Sequence, residues 1–252
     1  MRYFLKVQYD GSQFYGFQRQ KDKRTVQGEL EKALTIINKR EVKVKGAGRT
    51  DIGVHALGQG VHFDLDVNIP SNRLLTAINS IVHPYIHVVE CRKVSNDFHS
   101  RFSVLKKSYV YKIWKGDFSP FREDYYLQYD FPIDIEKLKE CARLFVGQYD
   151  FHNFVAGQRD NYDGTIYDMN IFENEDEIII RFIGKSFYRY MVRNLVGAIL
   201  DYNEGKCDIL LLRKMLEDKN FNYQLRTAKP QGLYLEDVIY LLNTRCVFNS
   251  RA

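Results

Sequence analysis

One order of elements is written twice along this 252-residue chain, and no other feature restricts its architecture so tightly. From Arg2 to Tyr9 the large side chains Tyr3, Leu5, Val7 and Tyr9 fall at every second position. That is the period of a strand with one buried face. Thr25 then stands where a helix cap belongs, ahead of Val26, Leu30, Ala33, Leu34 and Ile37 at helical spacing. Glu41 to Ala47 reads as a second strand with Val42 and Val44 on one face. A third follows, in which Val61, Phe63 and Leu65 alternate with His62, Asp64 and Asp66. Ser71 is expected to cap a second helix carrying Leu74, Leu75, Ile78 and Val82, and Ile86 to Val94 completes the set as a strand.

The second pass repeats the first. Lys107 to Lys115 reads as a strand, Ile135 to Val146 as a helix, and Thr165 to Glu173 and Glu177 to Ile183 as strands turned at Asn174-Glu175-Asp176. Phe187 to Tyr202 reads as a helix that buries Phe187, Met191, Leu195 and Ile199, with a short helix from Ile209 to Glu217 before a last strand, Leu233 to Tyr240. Strand, helix, strand, strand, helix, strand is the ferredoxin-like order. The expected fold is therefore α+β: two ferredoxin-like (RRM-like) βαββαβ halves, residues 1–103 and 104–252, with mainly antiparallel sheets joined side by side. Helices would cover one face of the joint sheet and leave an open cleft on the other, between the halves.

Composition narrows the classes. With 45% hydrophobic residues, 16 Gly and 5 Pro, the chain can order a full core. The net charge of +5 is modest, but its distribution is uneven. Lys21, Lys23 and Arg24 cluster early; Lys106, Lys107, Lys112 and Lys115 interleave with Tyr109, Tyr111 and Trp114; Lys185, Arg189 and Arg193 lie close together. Basic groups among aromatics suit phosphate contacts with base stacking, although solvated faces have the same composition. Cys91, Cys141, Cys207 and Cys246 form no close pair and the histidines no metal-ligand set, so the expectation is a reduced compartment and no metal. Met1-Arg2-Tyr3 leads straight into a strand, and the apolar run Leu195 to Leu200 is far short of a membrane span. A soluble, cytoplasmic protein with no membrane association is expected.

The chemistry points to Gly48-Arg49-Thr50-Asp51-Ile52-Gly53-Val54-His55-Ala56. Glycines bracket a single carboxylate, and an arginine precedes it by two positions. A neighbouring cation favours the charged form of a carboxylate, the form a nucleophile needs. The plainer reading is an Asp that closes a turn, with Arg49 as a surface partner.

Five ordered motifs give this stretch a context. They are Tyr9-Asp10-Gly11-Ser12-x-Phe14-x-Gly16-x-Gln18-x-Gln20, the Asp51 stretch itself, Phe98-His99-Ser100-Arg101-Phe102-Ser103 with Tyr109-x-Tyr111, Met191-Val192-Arg193-Asn194, and Gly232-Leu233-Tyr234-Leu235. Thr25-Val26-Gln27 and Asp150-Phe151-x-x-Phe154 fit between them. Together they resemble the tRNA pseudouridine synthase A family over nearly the whole chain. The resemblance implies isomerisation of uridine in the tRNA anticodon stem-loop, without a cofactor, by a homodimer. It implies Asp51 as the catalytic nucleophile, Tyr109 as the aromatic partner of the flipped base and a late acceptor of its C5 proton, and Arg193 against Asp51. Arg49 would fill the vacated stack or hold a phosphate. His55 would support the loop rather than act as a base, while Gln18, Arg19, His99 and Arg101 would touch RNA. Three other readings stay open: a relative acting on other tRNA positions or another RNA, a non-catalytic RNA-binding pair of RRM-like halves, and a metal-dependent nuclease using Asp64 and Asp66.

Overall fold

The alternation read in Arg2–Tyr9 becomes β1, an inner strand that buries Tyr3, Leu5 and Val7 completely. A computed structural model describes residues 1–221 and 223–240, so Cys246 lies outside the described residues. Thr25 caps α1 (Val26–Asn38) as expected, its hydroxyl accepting the Gly28 N–H at 3.2 Å. Only Lys45–Gly46 pairs as β2, whereas the sequence suggested a strand from Glu41. Val42 and Val44 are nonetheless buried, because this segment bonds to α1 instead of to a strand. The Val42 N–H donates to Thr35 Oγ1, the Val44 N–H to Glu31 Oε1, and Gln27 Nε2 to the Val44 carbonyl.

β3 (His55–Asp64) starts at His55, earlier than the run near Val61 indicated. In α2 (Ser71–Val82) the cap is Pro70 and Ser71 is already helical, so no side chain caps the helix. Proline's fixed φ suits a helix entry, and it displaces the serine from the capping role. Beyond β4 (Ile86–Lys93) the chain forms β5 (Val104–Trp114), the two-residue β6 (Leu127–Gln128), α3 (Ile135–Leu144) and β7 (Gly147–Asp150). β8 (Asp163–Glu173), β9 (Glu177–Gly184), α4 (Met191–Asn203), α5 (Ile209–Glu217) and β10 (Leu233–Tyr240) follow. α4 begins at Met191 rather than Phe187, since Tyr190 sits at φ 63° and helical geometry cannot pass through it.

All these strands join one 10-stranded sheet in the order β4-β1-β3-β10-β5-β9-β8-β7, with β2 on β3 and β6 on β5. Pairing is antiparallel except for β10 with β3 and β6 with β5. In the middle, β10 pairs along β5 while Tyr234 and Leu235 lie beside His55 and Ala56 of β3. Tyr109, Tyr111 and Ile113 of β5 stand opposite Phe182, Ile180 and Ile178 of β9, and all six are buried. Their intervening neighbours bear polar groups such as Arg181, ion-paired to Glu236 at 2.7 Å. One face of the sheet is thus the core that the helices cover. No helix among the described residues is long and apolar enough to cross a membrane.

Candidate active site

The loop between β2 and β3 is fastened on both sides before Asp51 is reached. At its entrance the Ala47 N–H donates to the Gly60 carbonyl at 2.8 Å, and Lys107 Nζ reaches from β5 to the Ala47 carbonyl at 2.9 Å. Gln59 Nε2 holds the Gly48 carbonyl at 3.0 Å. Thr50 turns inward, its hydroxyl 2.8 Å from the buried Tyr9 hydroxyl and its carbonyl accepting the Phe17 N–H at 3.1 Å. Two glycines are required here for different reasons. Gly53 sits at φ 78°, a conformation side chains disfavour, and the Val54 N–H then closes the turn onto the Asp51 carbonyl at 3.2 Å. Gly16, itself at φ 80°, passes so close that a Cβ would lie 2.8 Å from the Thr50 carbonyl oxygen.

The Asp51 side chain is 30% exposed, and Arg193 Nη1 of α4 lies 3.6 Å from its Oδ2. Arg193 cannot swing freely, since its Nε donates to the Ala228 carbonyl at 2.7 Å. The cation that meets Asp51 therefore comes from far along the chain. Arg49, the neighbour in sequence, is exposed and forms no ion pair among the described residues. Arg189 is also exposed and lies ahead of α4 rather than on it, yet its charge still reaches Asp51. The expectation that a neighbouring cation simply holds Asp51 ionised needs correction. Burial is the largest influence and raises its pKa above the ordinary carboxylate value, while Arg193 and Arg189 pull it back down.

Tyr109 comes from the buried row of β5 and is 8% exposed. Its ring meets Phe187 edge-on, centroids 5.2 Å apart at 76°. Burial first, then the proximity of Tyr9 and Asp51, pushes the phenol far above its ordinary value. It keeps its proton at neutral pH and can donate a hydrogen bond, but it is not poised to accept a proton. Because Tyr109 and Arg193 both belong to the helix-bearing side, the Asp51 cluster lies on that side, not on the opposite face as the sequence suggested.

His55 follows Asp51 closely but both ring nitrogens are engaged. Nδ1 accepts the Gly11 N–H at 3.0 Å, which leaves Nε2 to carry the proton toward the Asp124 carbonyl at 2.8 Å. The ring stacks on Tyr234 at 4.5 Å, and burial lowers its pKa. A neutral imidazole so held fastens the loop and has no free nitrogen for a substrate. In the Phe98–Ser103 motif, His62 Nδ1 and the Ser100 hydroxyl lie 2.8 Å apart, and that hydroxyl donates to the Lys45 carbonyl. Phe102 and Arg101 point outward, Phe102 being 77% exposed. Gln18 is exposed, and Arg19 pairs with Glu31 at 3.3 Å.

The sequence did not single out Lys107 and Gln59 as loop anchors, nor the Ala228 carbonyl as a holder of Arg193. Lys107 was visible only as one member of a basic cluster, and a backbone carbonyl leaves no compositional trace. Among the described residues no three His, Cys, Asp or Glu side chains converge as a metal site, and Asp64 is engaged by Arg2 at 2.9 Å. What the cluster offers chemically is one half-buried carboxylate on a rigid loop, one guanidinium anchored against it and one protonated aromatic wall.

The chain is similar to known proteins along most of its length. The family model described as tRNA pseudouridine synthase matches residues 6–103 and 141–241. The protein named tRNA pseudouridine synthase A from Ligilactobacillus salivarius is 39% identical over 246 residues, covering 95% of this chain and 96% of that one. Its namesake from Anoxybacillus flavithermus is 38% identical over 237 residues, covering 93% and 96%. Among solved structures, one of an H/ACA RNP bound to a substrate RNA containing 2'-deoxyuridine aligns at 14% identity and a TM-score of 0.33, over 77% of this chain and 51% of that chain. A match through both halves, which takes in the Asp51 loop and Arg193 alike, makes this chain a member of the tRNA pseudouridine synthase family.

Proposed function

We propose that this enzyme isomerises uridine to pseudouridine in tRNA, on the 3′ side of the anticodon stem-loop, with Asp51 as the nucleophile. One observation carries the chemistry: the Asp51 carboxylate faces Arg193 at 3.6 Å, with Tyr109 close enough to feel its charge. The target uridine is drawn out of its stack at a cost of a few kcal/mol, and Arg49, exposed at the loop's rim, fills the gap or holds a phosphate. Asp51 attacks the nucleoside and the N-glycosidic bond breaks; the freed uracil turns, its C5 bonds to the ribose, and the bond to Asp51 breaks to release the carboxylate. C5 then gives up its proton to water and N1 takes one up, so the product is an isomer of the substrate and no redox partner or energy source is needed. Tyr109 stacks on the turning base, and the upward shift that burial gives its phenol favours a stacking and hydrogen-bonding role over a basic one.

The architecture supports this reading. The strand orders β4-β1-β3-β2 and β10-β5-β9-β8 are compatible with two ferredoxin-like halves, for which we propose the bounds 1–103 and 104–252. The site lies between their helix layers. A homodimer in the cytoplasm suits an L-shaped substrate, one subunit gripping its body while the other treats the loop. The test is release of tritium from tRNA transcribed with uridine labelled at C5. Tritium should appear in water in proportion to pseudouridine formed in the anticodon stem-loop. Tight tRNA binding with no tritium release would favour a binding protein, and release from another stem would redirect the substrate.

A further inference from the structure

The guanidinium of Arg193 is held from behind by a stretch with no regular structure, Arg226 to Lys229. The two run as a pair: the Ala228 N–H donates to the Arg193 carbonyl at 3.1 Å, and Arg193 Nε returns a bond to the Ala228 carbonyl at 2.7 Å. Thr227 Oγ1 bonds Asn194 Oδ1 at 2.7 Å, and Tyr111 donates its hydroxyl to the Lys229 carbonyl at 2.7 Å. This strap can come so close because Gly197 of α4 has no Cβ to meet the Arg226 carbonyl.

What fixes the strap at its near end is a charge cluster at the far end of α4. Arg226 Nη1 lies 2.8 Å from Glu204 Oε1, Nη2 lies 3.1 Å from Asp201 Oδ1, and the Arg226 N–H donates to Asp201 Oδ2 at 3.2 Å. Tyr129 donates to the same Glu204 oxygen at 2.6 Å, and Lys206 lies on its other oxygen at 2.5 Å. Asp201 is buried and the Glu204 side chain is 3% exposed, so these are not loose surface pairs. Two carboxylates one helical turn apart thus grip a single guanidinium. Neither is near Asp51.

We infer that Arg226, clamped by Asp201 and Glu204, is a positioning residue: it fixes the 226–229 strap so that the Ala228 carbonyl aims Arg193 at Asp51. The inference rests on the proposed role of Asp51 for its consequence in catalysis, but not for its geometry. Asp51 is faced by Arg193 from α4, by Arg189 ahead of α4, and by Tyr109 from β5; Arg49 on its own loop is exposed and does not act on it. Of these, only Arg193 is in ion-pair range and only Arg193 is tied to the strap. Release of the strap should therefore reach Asp51 through Arg193 alone.

The experiment titrates the Asp51 carboxylate directly, by carbon NMR of selectively labelled full-length protein, the signal being assigned by its loss in Asp51→Asn. Arg226→Met should raise the Asp51 midpoint, by less than the rise of about 1–3 units expected for Arg193→Met. Arg226→Lys, which keeps one charge between the carboxylates, should restore part of the shift. In Arg193→Met, adding Arg226→Met should move the midpoint no further. Thermal melts of each variant identify any that fail to fold, and Glu204→Gln then loosens the same clamp more gently. An Asp51 midpoint unmoved in folded Arg226→Met and Glu204→Gln, or a shift that adds to that of Arg193→Met, would overturn the inference. The acid limb of kcat/KM is read on the same proteins. If the midpoint moves and that limb does not, the clamp stands and the role proposed for Asp51 fails.

Discussion

Asp51 is pulled in two directions, and the balance is what makes it usable. Burial raises its pKa, and Arg193, with Arg189 behind it, draws the value down again. A nucleophilic carboxylate must be ionised, so kcat/KM should fall as pH drops through the Asp51 pKa. Removing Arg193 takes away the larger opposing cation, so the pKa rises and the acid limb moves toward neutrality. Arg193→Met should shift that limb upward by about 1–3 units and lower activity most at acidic pH. Initial rates across the pH range on saturating and limiting tRNA check this; a parallel loss at every pH would assign Arg193 to binding instead. The sequence marked Asp51 from its loop, but it offered Arg49 as the adjacent cation. Adjacency along a chain that turns inward at Thr50 does not make a spatial pair, and only the family resemblance pointed to Arg193. His55 was expected to support the loop rather than act as a base, and both of its ring nitrogens are occupied.

At the scale of elements, the approach to the loop is held by a helix rather than by a strand. Alternation of Val42 and Val44 correctly gave their burial, because period two reports which side faces the core. It does not report where the backbone N–H groups go, and here they go to Thr35 and Glu31 of α1. Glu31 accepts both the Val44 N–H at 3.0 Å and Gln27 Nε2 at 3.1 Å, and it is 7% exposed. Truncating it leaves a buried donor unsatisfied. Glu31→Ala should cost about 1–3 kcal/mol in urea unfolding, and Glu31→Gln, which keeps an acceptor, should cost clearly less. Equal losses in the two variants would mean that the ion pair with Arg19 matters more than the bond to Val44. β6 and β7 were missed for a related reason: segments this short carry too few residues to show a period.

The whole molecule joins two similar runs of elements through a seam that neither run announces. The element order could be read twice from hydrophobic spacing, and the last strand was recognised from Leu233 to Tyr240. Its parallel contact with β3 is made at Tyr234 and Leu235, and nothing in the alternation of either strand selects that partner. Yet this seam is what brings the Asp51 loop, β5 and α4 together. Asp51, Tyr109 and Arg193 are contributed by three separate stretches of sequence, and the family model takes in the first and the last of them. The account stands or falls on the carboxylate of Asp51. Asp51→Asn keeps the size of the side chain and removes its charge, so fold and tRNA affinity should be preserved, since binding rests on many phosphate contacts. The decisive measurement is conversion of uridine to pseudouridine in a tRNA transcript by this variant at saturating enzyme. The account predicts undisturbed tRNA binding with no detectable conversion, whereas turnover at about a tenth of the normal rate would contradict a nucleophilic Asp51.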